Sequence, residues 1–339
     1  MTRLPHVLRK STSILLHLVG RKGNKCSFAC DMKTISKRKN HRLFEFMLQR
    51  YDPFLDLSYC STSTDKQFIH QGSGSGTIKP YRTFYKGGVR YFEKIFFNDA
   101  LELKSISEFY DNSCELACQH RIQIPSLLQT IKGSKLTVLL YEYRDIVPLA
   151  IGSRYQALKK GTLALAQNKP QNRPASTIRL NLVVDGEKHL LNKGVFTEEE
   201  IIDIKQIIHS LPVCFQHLDL STNNVYADHF IMDWDHSGHY HLGPDLGMLL
   251  FHYFYFYKTE FLATYKEEIE SYHRHLDQEV DLNHFTVALL YYFAVYFKGY
   301  FRDYEDPVIF PELVQECKTL LLTTAVESKE MVLVSSAGH

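Results

Sequence analysis

His217-Leu218-Asp219-Leu220-Ser221-Thr222-Asn223-Asn224 is followed nine residues later by Asp233, inside Phe230-Ile231-Met232-Asp233-Trp234-Asp235. The pattern is H-x-D-x-x-x-x-N, a short connection, and an Asp at the end of an apolar strand. Phosphoryl transfer from a nucleotide asks for these residue types. The triphosphate is strongly anionic and travels as a magnesium complex, and magnesium takes hard oxygen ligands such as a carboxylate and a side-chain amide. A second carboxylate has to orient the attacking hydroxyl and accept its proton. A base and an amide five residues apart on one loop can face the same phosphate from two sides. Upstream, this chemistry asks for a lysine that grips the α and β phosphates and a glutamate on the next helix to hold that lysine.

The segment resembles the catalytic loop of the aminoglycoside phosphotransferase and choline kinase family, within the protein-kinase-like superfamily. The usual text there is close to HGDLHPGN, followed by an apolar strand ending in IDW or IDF; here it reads HLDLSTNN and FIMDWD. The resemblance implies Asp219 as catalytic base, His217 as the residue that orients the loop, and Asn224 and Asp233 as magnesium ligands. Asp245, in Gly243-Pro244-Asp245-Leu246-Gly247, stands where the family carries an Asp that supports the loop. Upstream, Gly72, Gly74 and Gly76 match a glycine loop over the nucleotide, and Lys94, 22 residues after Gly72, matches the phosphate-gripping lysine. Glu108 is its implied helix partner, with Glu115 as second choice. The backbone from Glu142 to Tyr143 is implied to bond adenine. The cofactors implied are ATP and Mg2+.

The resemblance covers about residues 67–250 and departs from the family in three places. Leu218 replaces the usual Gly. The stretch from Asn224 to Asp233 is short, which implies a tight hairpin around Asp228-His229. Trp234 is shared with small-molecule kinases, whereas eukaryotic protein kinases carry Phe and then Gly, so a non-protein acceptor is favoured. The implied fold is α+β: a bilobal protein-kinase-like fold with a small antiparallel-sheet lobe and a larger helical lobe.

The rest of the chain is read around that core. Residues 1–60 form a basic extension, 61–143 the small lobe, and 144–339 the helical lobe. Residues 42–51 have the spacing of a short amphipathic helix. Lys86-Gly87-Gly88 is a hairpin turn, residues 99–120 are helical, and Lys135–Tyr143 is a buried strand. Residues 161–176, polar and holding Pro170 and Pro174, read as a loop. Asp185-Gly186 within 178–191 reads as a hairpin turn between apolar runs. Thr197 and Glu200 form a capping box ahead of Ile201, Ile204, Ile207, Ile208 and Leu211, and Pro212 stops that helix. The aromatic runs at 248–265 and 288–304 read as helical core. His236, His239 and His241 read as an exposed polar loop rather than a zinc site, and Asp235 as a solvated turn residue, with a further metal or substrate contact as the alternative.

Composition excludes several classes. With 45% hydrophobic and 23% charged residues, a packed core is expected rather than disorder. Seven Cys, in a chain of 339 residues, are read as reduced thiols rather than a disulfide framework. No run reaches the ~18 apolar residues of a membrane span. Ser13–Gly20 is too short for a signal peptide and is followed by Arg21-Lys22. A cytoplasmic protein is expected. Residues 1–43 hold 11 Lys/Arg against one acid, Asp31, leaving 28 Lys/Arg and 37 acids in the rest. This arm suits phosphates, an anionic membrane face on the inner side, the chain's own acidic body, or simple solvation. No nucleic-acid motif accompanies the charge, so specific nucleic-acid binding is not expected.

Acceptors in keeping with the resemblance are amino sugars, choline-like amines and sugars, with a lipopolysaccharide or lipid-linked surface-glycan sugar as the alternative. A nucleotide-binding pseudokinase or partner-binding module is the reading from another class. Lys94, Asp219, Asn224 and Asp233 are all present, which speaks against it.

Overall fold

In the computed structural model, residues 43–55, 81–86, 88–112, 114–167, 175–176, 180–276, 279–301 and 306–336 are described. Gly72, Gly74, Gly76 and the basic arm before residue 43 lie outside them. The chain divides into two compact units, one of Met1–Leu103 with Pro125–Arg144, the other of Lys104–Ile124 with Asp145–His339. The architecture is α+β, with one small antiparallel sheet and a largely helical remainder.

In the first unit, Tyr81–Lys86 (β1) turns back on Val89–Phe97 (β2) where the glycine pair predicts. Gly88 has φ +80, a left-handed backbone that glycine adopts without strain. Leu127–Lys132 (β3) and Leu136–Glu142 (β4) complete an antiparallel sheet in the order β1-β2-β4-β3. Central β4 is buried from Leu136 to Tyr141. Arg82 faces Glu93 across β1 and β2, and Tyr81 faces Lys94. Side chains alternate along a strand, so Glu93 and Lys94 point to opposite faces.

Leu43–Tyr51 (α1) covers the Glu93 face. Its Phe44 and Met47 pack with Ile95, Leu136 and Val138. Arg82 and Glu93 form a buried ion pair, and the Arg82 guanidinium lies 4.2 Å from the Phe44 ring centroid. Removing one partner of such a pair costs about 3–5 kcal/mol, because the other charge is left buried. Just after α1, Asp52 accepts bonds from the amides of Lys135 (2.9 Å) and Leu136 (3.2 Å) and from Ser134 Oγ (3.1 Å). The Lys135 amide leads in holding this carboxyl below its ordinary range. Gly133 makes room, since a Cβ there would lie 2.1 Å from Asp52 Oδ2. Residues 43–55, which the sequence groups with the 1–60 extension, pack on the sheet of this unit.

Helices dominate the second unit. Leu101–Asn112 (α2) enters it at Lys104, and Cys114–Gln119 (α3) follows. Ile151–Ala166 (α4), Asn181–Asn192 (α5), Glu198–Ser210 (α6), Pro244–Phe256 (α7), Phe261–His273 (α8), Leu282–Tyr300 (α9) and Ile309–Ser336 (α10) carry most of the rest. Helix α9 is buried on every side from Val287 to Lys298, as a helix apolar all round must be. The aromatic runs are core: Phe251, Phe254, Phe293 and Phe297 are all buried in one cluster. Helix α6 has the reciprocal cap, with Glu200 N donating to Thr197 Oγ1 and Thr197 N to the Glu200 carboxylate. Among the described residues, no helix is long and apolar enough to cross a membrane.

Three expectations fail. Residues 178–191 hold no hairpin: 181–192 is helix α5, with Val183, Gly186 and Leu190 buried on one face. The glycine that resembles a turn residue is instead a packing residue. A Cβ at Gly186 would lie 2.1 Å from the Val295 carbonyl oxygen of α9. Residues 161–166 are the last turns of α4, not a loop, with Gly161, Thr162, Leu163, Leu165 and Ala166 buried. The polar text begins only at Gln167. The histidine patch is strand: Gly238–His241 (β6) pairs with Val213–Gln216 (β5), and His239 is buried. His241, at the end of the strand, and His236, in the turn before it, are half-buried.

Gly186→Ala tests the α5–α9 contact. Alanine raises helix propensity by about 1 kcal/mol, yet the backbone carbonyl it meets cannot swing away. A net loss of about 1–3 kcal/mol is expected from overpacking, read as a lower midpoint in urea denaturation. A midpoint at or above wild type would show that the helices are not in this contact.

Candidate active site

Strand β5 delivers the chain to His217 with two buried leucines, Leu218 and Leu220, on either side of Asp219. These anchor the backbone and leave the Asp219 side chain half-exposed. Leu218 has φ +65, a left-handed conformation that disfavours a branched side chain. Glycine adopts this backbone without strain; here a leucine holds it.

Asp245 holds that conformation in place. Its carboxylate accepts the His217 amide at 2.7 Å and the Leu218 amide at 2.8 Å. Gln216 locks the clamp from the other side: its Oε1 accepts the Asp245 amide at 3.1 Å, and its Nε2 donates to the carbonyls of Tyr240 and His241. The cluster is buried, and burial outweighs the two amide bonds, pushing the Asp245 carboxyl up to about 6. It is still mainly ionised at neutral pH. Nothing in the sequence pattern points to Gln216, which precedes the motif and acts through tertiary contact alone.

The loop then turns on itself. Ser221 N and Asn224 Nδ2 both donate to the Asp219 carbonyl, at 2.9 and 2.6 Å. The amide nitrogen of Asn224 is used inward, so its Oδ1 is the end left for a hard cation. Met232 N donates to the Asn224 carbonyl at 3.0 Å, and Val225 bridges Ile231. The tight reversal between them falls at Asp228 and His229, both with positive φ, where the short spacing places it.

His217 ties this reversal to the loop. Burial pushes its imidazole down to about 4, so the ring is neutral. Its Nε2 lies 2.9 Å from the Met232 carbonyl, which makes Nε2 the protonated nitrogen. Asp233 follows Met232 directly and is itself left-handed, φ 67. Trp234 fixes the next position: its Nε1 donates to the Ile231 carbonyl, and its ring stacks on Phe109 of α2 at 4.2 Å. Asp235 is buried, 2% exposed, inside the short turn Trp234–His236, not solvated as the sequence reading has it.

Other expected site residues lie as follows. Lys94 is half-buried on β2, paired in register with Tyr81 and Leu139. Glu108 lies on α2 with its Oε1 3.1 Å from His239 Nδ1, a contact no motif announces. Glu115 is exposed on α3. At the proposed adenine segment the amides of Glu142 and Tyr143 already donate, to the carbonyls of Ser126 and Arg90. Central β4 spends these donors on its neighbours. Any base contact from 142–143 therefore falls to carbonyl acceptors. Among the described residues, no group of three or more His, Cys, Asp or Glu is placed to hold a metal ion. Magnesium needs only one carboxylate and one amide oxygen beside phosphates and water, and Asp233 with Asn224 fits that demand.

No protein-family model and no curated protein matches the chain. Several solved structures resemble it. Aminoglycoside phosphotransferase APH(3'')-Id from Streptomyces rimosus is 13% identical over 75% of this chain and 98% of its own, at a TM-score of 0.44. A thermostable mutant of aminoglycoside phosphotransferase APH(4)-Ia, with ADP and hygromycin B, is 14% identical over 83% and 98%, at 0.43. A microcompartment-associated aminopropanol kinase is 11% identical over 82% and 94%, at 0.39. Likeness at this level says nothing about reaction or substrate.

The buried histidines set a pH dependence. His252 on α7 is likewise pushed down to about 4 by burial. A histidine depressed from 6.5 gives stability that is present above 6.5 and lost as pH falls toward 4. Asp245, raised from 3.8 to about 6, acts oppositely over nearly the same range. Two histidines against one aspartate leave a net loss on the order of 3 kcal/mol between pH 7 and pH 4. Urea denaturation across this range checks it, and His252→Leu is expected to make the loss shallower. An unchanged slope would remove His252 from the account.

Proposed function

We propose that this chain is an ATP-dependent phosphotransferase that moves the γ-phosphate of Mg-ATP to a hydroxyl of a small molecule: an amino sugar, a choline-like amine or a sugar. The observation that carries the reading is the clamp of Asp245 on the His217 and Leu218 amides. It fixes a loop on which a half-exposed Asp219 and the inward-bonded Asn224 stand five residues apart. A purely structural turn has no need of two left-handed non-glycine residues, Leu218 and Asp233, at its ends.

In this reading Asp219 orients the acceptor hydroxyl and takes its proton as the oxygen attacks the γ-phosphorus and the bond to the β-γ bridging oxygen breaks. Asn224 Oδ1 and the Asp233 carboxylate would hold magnesium, which would supply charge neutralisation on the phosphates. His217 keeps Asp233 in register with the loop through the Met232 carbonyl. Lys94 grips the α and β phosphates. Glu108, the resemblance's partner for Lys94, and the segment Glu142–Tyr143 belong to the nucleotide side, as do Gly72, Gly74 and Gly76. Catalysis by such a set is positioning and electrostatics. The 11 cations before residue 43 favour a lipopolysaccharide or lipid-linked glycan sugar as the second reading, with the arm resting on an anionic membrane face.

The test is nucleotide consumption by the purified chain with Mg-ATP against aminoglycosides, choline, ethanolamine and sugars. Asp219→Ala is expected to abolish transfer, a loss of at least about 10³-fold, with ATP affinity nearly unchanged. Asp233→Ala is expected to weaken Mg-ATP binding itself, read by calorimetry. Transfer that persists in Asp219→Ala refutes the base; unchanged affinity in Asp233→Ala refutes the metal ligand.

A further inference from the structure

Helix α2 meets the β5–β6 pair through two successive residues. Phe109, fully buried, stacks on Trp234 at 4.2 Å and on Phe215 at 5.7 Å. Glu108 sends its carboxylate to His239, with Oε1 3.1 Å from Nδ1. Successive residues on a helix point about 100° apart. The aromatic stack therefore sets how closely α2 approaches, and the Glu108 contact fixes its rotation about its own axis. Neither contact is local: Glu108 and His239 stand 131 residues apart in sequence.

His239 is firmly held. It faces Phe215 in the β5–β6 ladder, and the two rings meet edge to face with centroids 5.5 Å apart. Its carbonyl accepts the Ser176 amide at 2.6 Å. Strand β5 leads directly into His217, and β6 follows the short turn after Asp233. The donor that holds Glu108 is thus built on the strand pair that delivers Asp219 and Asp233.

Burial gives the pair a direction. The His239 side chain is 4% exposed and that of Glu108 28%. A carboxylate only accepts, so Nδ1 carries the hydrogen, and water has little access to that donor. The carboxylate sits at the edge of the buried region, where it can also meet a cation. A glutamate side chain has much rotamer freedom to lose on ordering. A fixed donor on one oxygen removes part of that freedom before any ligand arrives.

We propose that His239 is a positioning residue for nucleotide binding: its Nδ1–H holds Oε1 of Glu108 and presents that carboxylate to the lysine that grips the phosphates. The proposal rests on the phosphotransferase reading, in which that lysine is Lys94. His239 touches neither nucleotide nor acceptor in this role and acts through Glu108 alone.

Two polar substitutions separate the donor from the bulk of the ring. His239→Asn places an amide donor near the position of Nδ1, and His239→Gln places one near Nε2. Mg-ATP affinity of the full chain is measured by calorimetry for wild type and both variants, and again for all three in a Glu108→Ala background. Urea midpoints confirm that each protein is folded in the assay. His239→Gln is expected to bind Mg-ATP about tenfold more weakly than wild type, and His239→Asn to recover most of that loss. In the Glu108→Ala background the difference between Asn and Gln is expected to vanish. Equal affinities for the Asn and Gln variants overturn the proposal, since a role in packing alone does not tell one donor position from the other. A difference that persists without Glu108 overturns it too, and so does a Glu108→Ala protein that binds Mg-ATP as wild type does. A folded wild-type chain that binds no Mg-ATP sinks the phosphotransferase reading itself, and this role falls with it.

Discussion

Asp245 takes the amide hydrogens of His217 and Leu218 on its two carboxylate oxygens, 28 and 27 residues away in sequence. Leu218 could relax to an ordinary backbone without this contact, and the direction in which Asp219 leaves the chain would change. Burying the carboxylate is costly, and the cost is what makes the contact specific: a pair of donors fixed in space offsets part of it. Gln216 supplies the second constraint by holding the Asp245 amide and the β6 carbonyls at once. Loop, strand pair and the start of α7 therefore form one polar unit inside an apolar surround.

The apolar surround is built from the aromatic helices. Helix α9 packs against α5, α6, α7 and α10 and is covered on all sides over most of its length. Two glycines permit its closest approaches, Gly186 on α5 and Gly247 on α7. The polar loop is placed by backbone hydrogen bonds, whereas the helices around it are placed by shape. The stack of Phe109 on Trp234 joins α2 to the turn after Asp233, so an aromatic contact sets the position of a carboxylate.

The first unit shows the same division on a smaller scale. Asp52 closes the β3–β4 turn through three bonds, and the Arg82–Glu93 pair is shielded by Phe44. Both depend on α1, a segment with little sequence signal beyond a short amphipathic pattern. The neighbour of Glu93 is Lys94. Pinning Glu93 to one face of the sheet fixes the face on which Lys94 emerges.

The sequence by itself determined the local elements whose signals are chemical: the capped helix from Glu198, the glycine turn at 86–88, the buried β4 strand and the H-x-D-x-x-x-x-N loop with its tight reversal at Asp228-His229. Each depends on residues within a few positions of one another, so spacing suffices to read it. Only the tertiary structure decided the rest. Asp185-Gly186 reads locally as a hairpin turn, yet 181–192 is helix, with Gly186 packed against the Val295 carbonyl. His239 looks like a loop residue until strand pairing buries it against Phe215 and Glu108. Gln216 has no signature at all, because its role exists only when distant segments meet. Short-range pattern records what a backbone can do, and long-range burial selects which of those options has its polar groups satisfied.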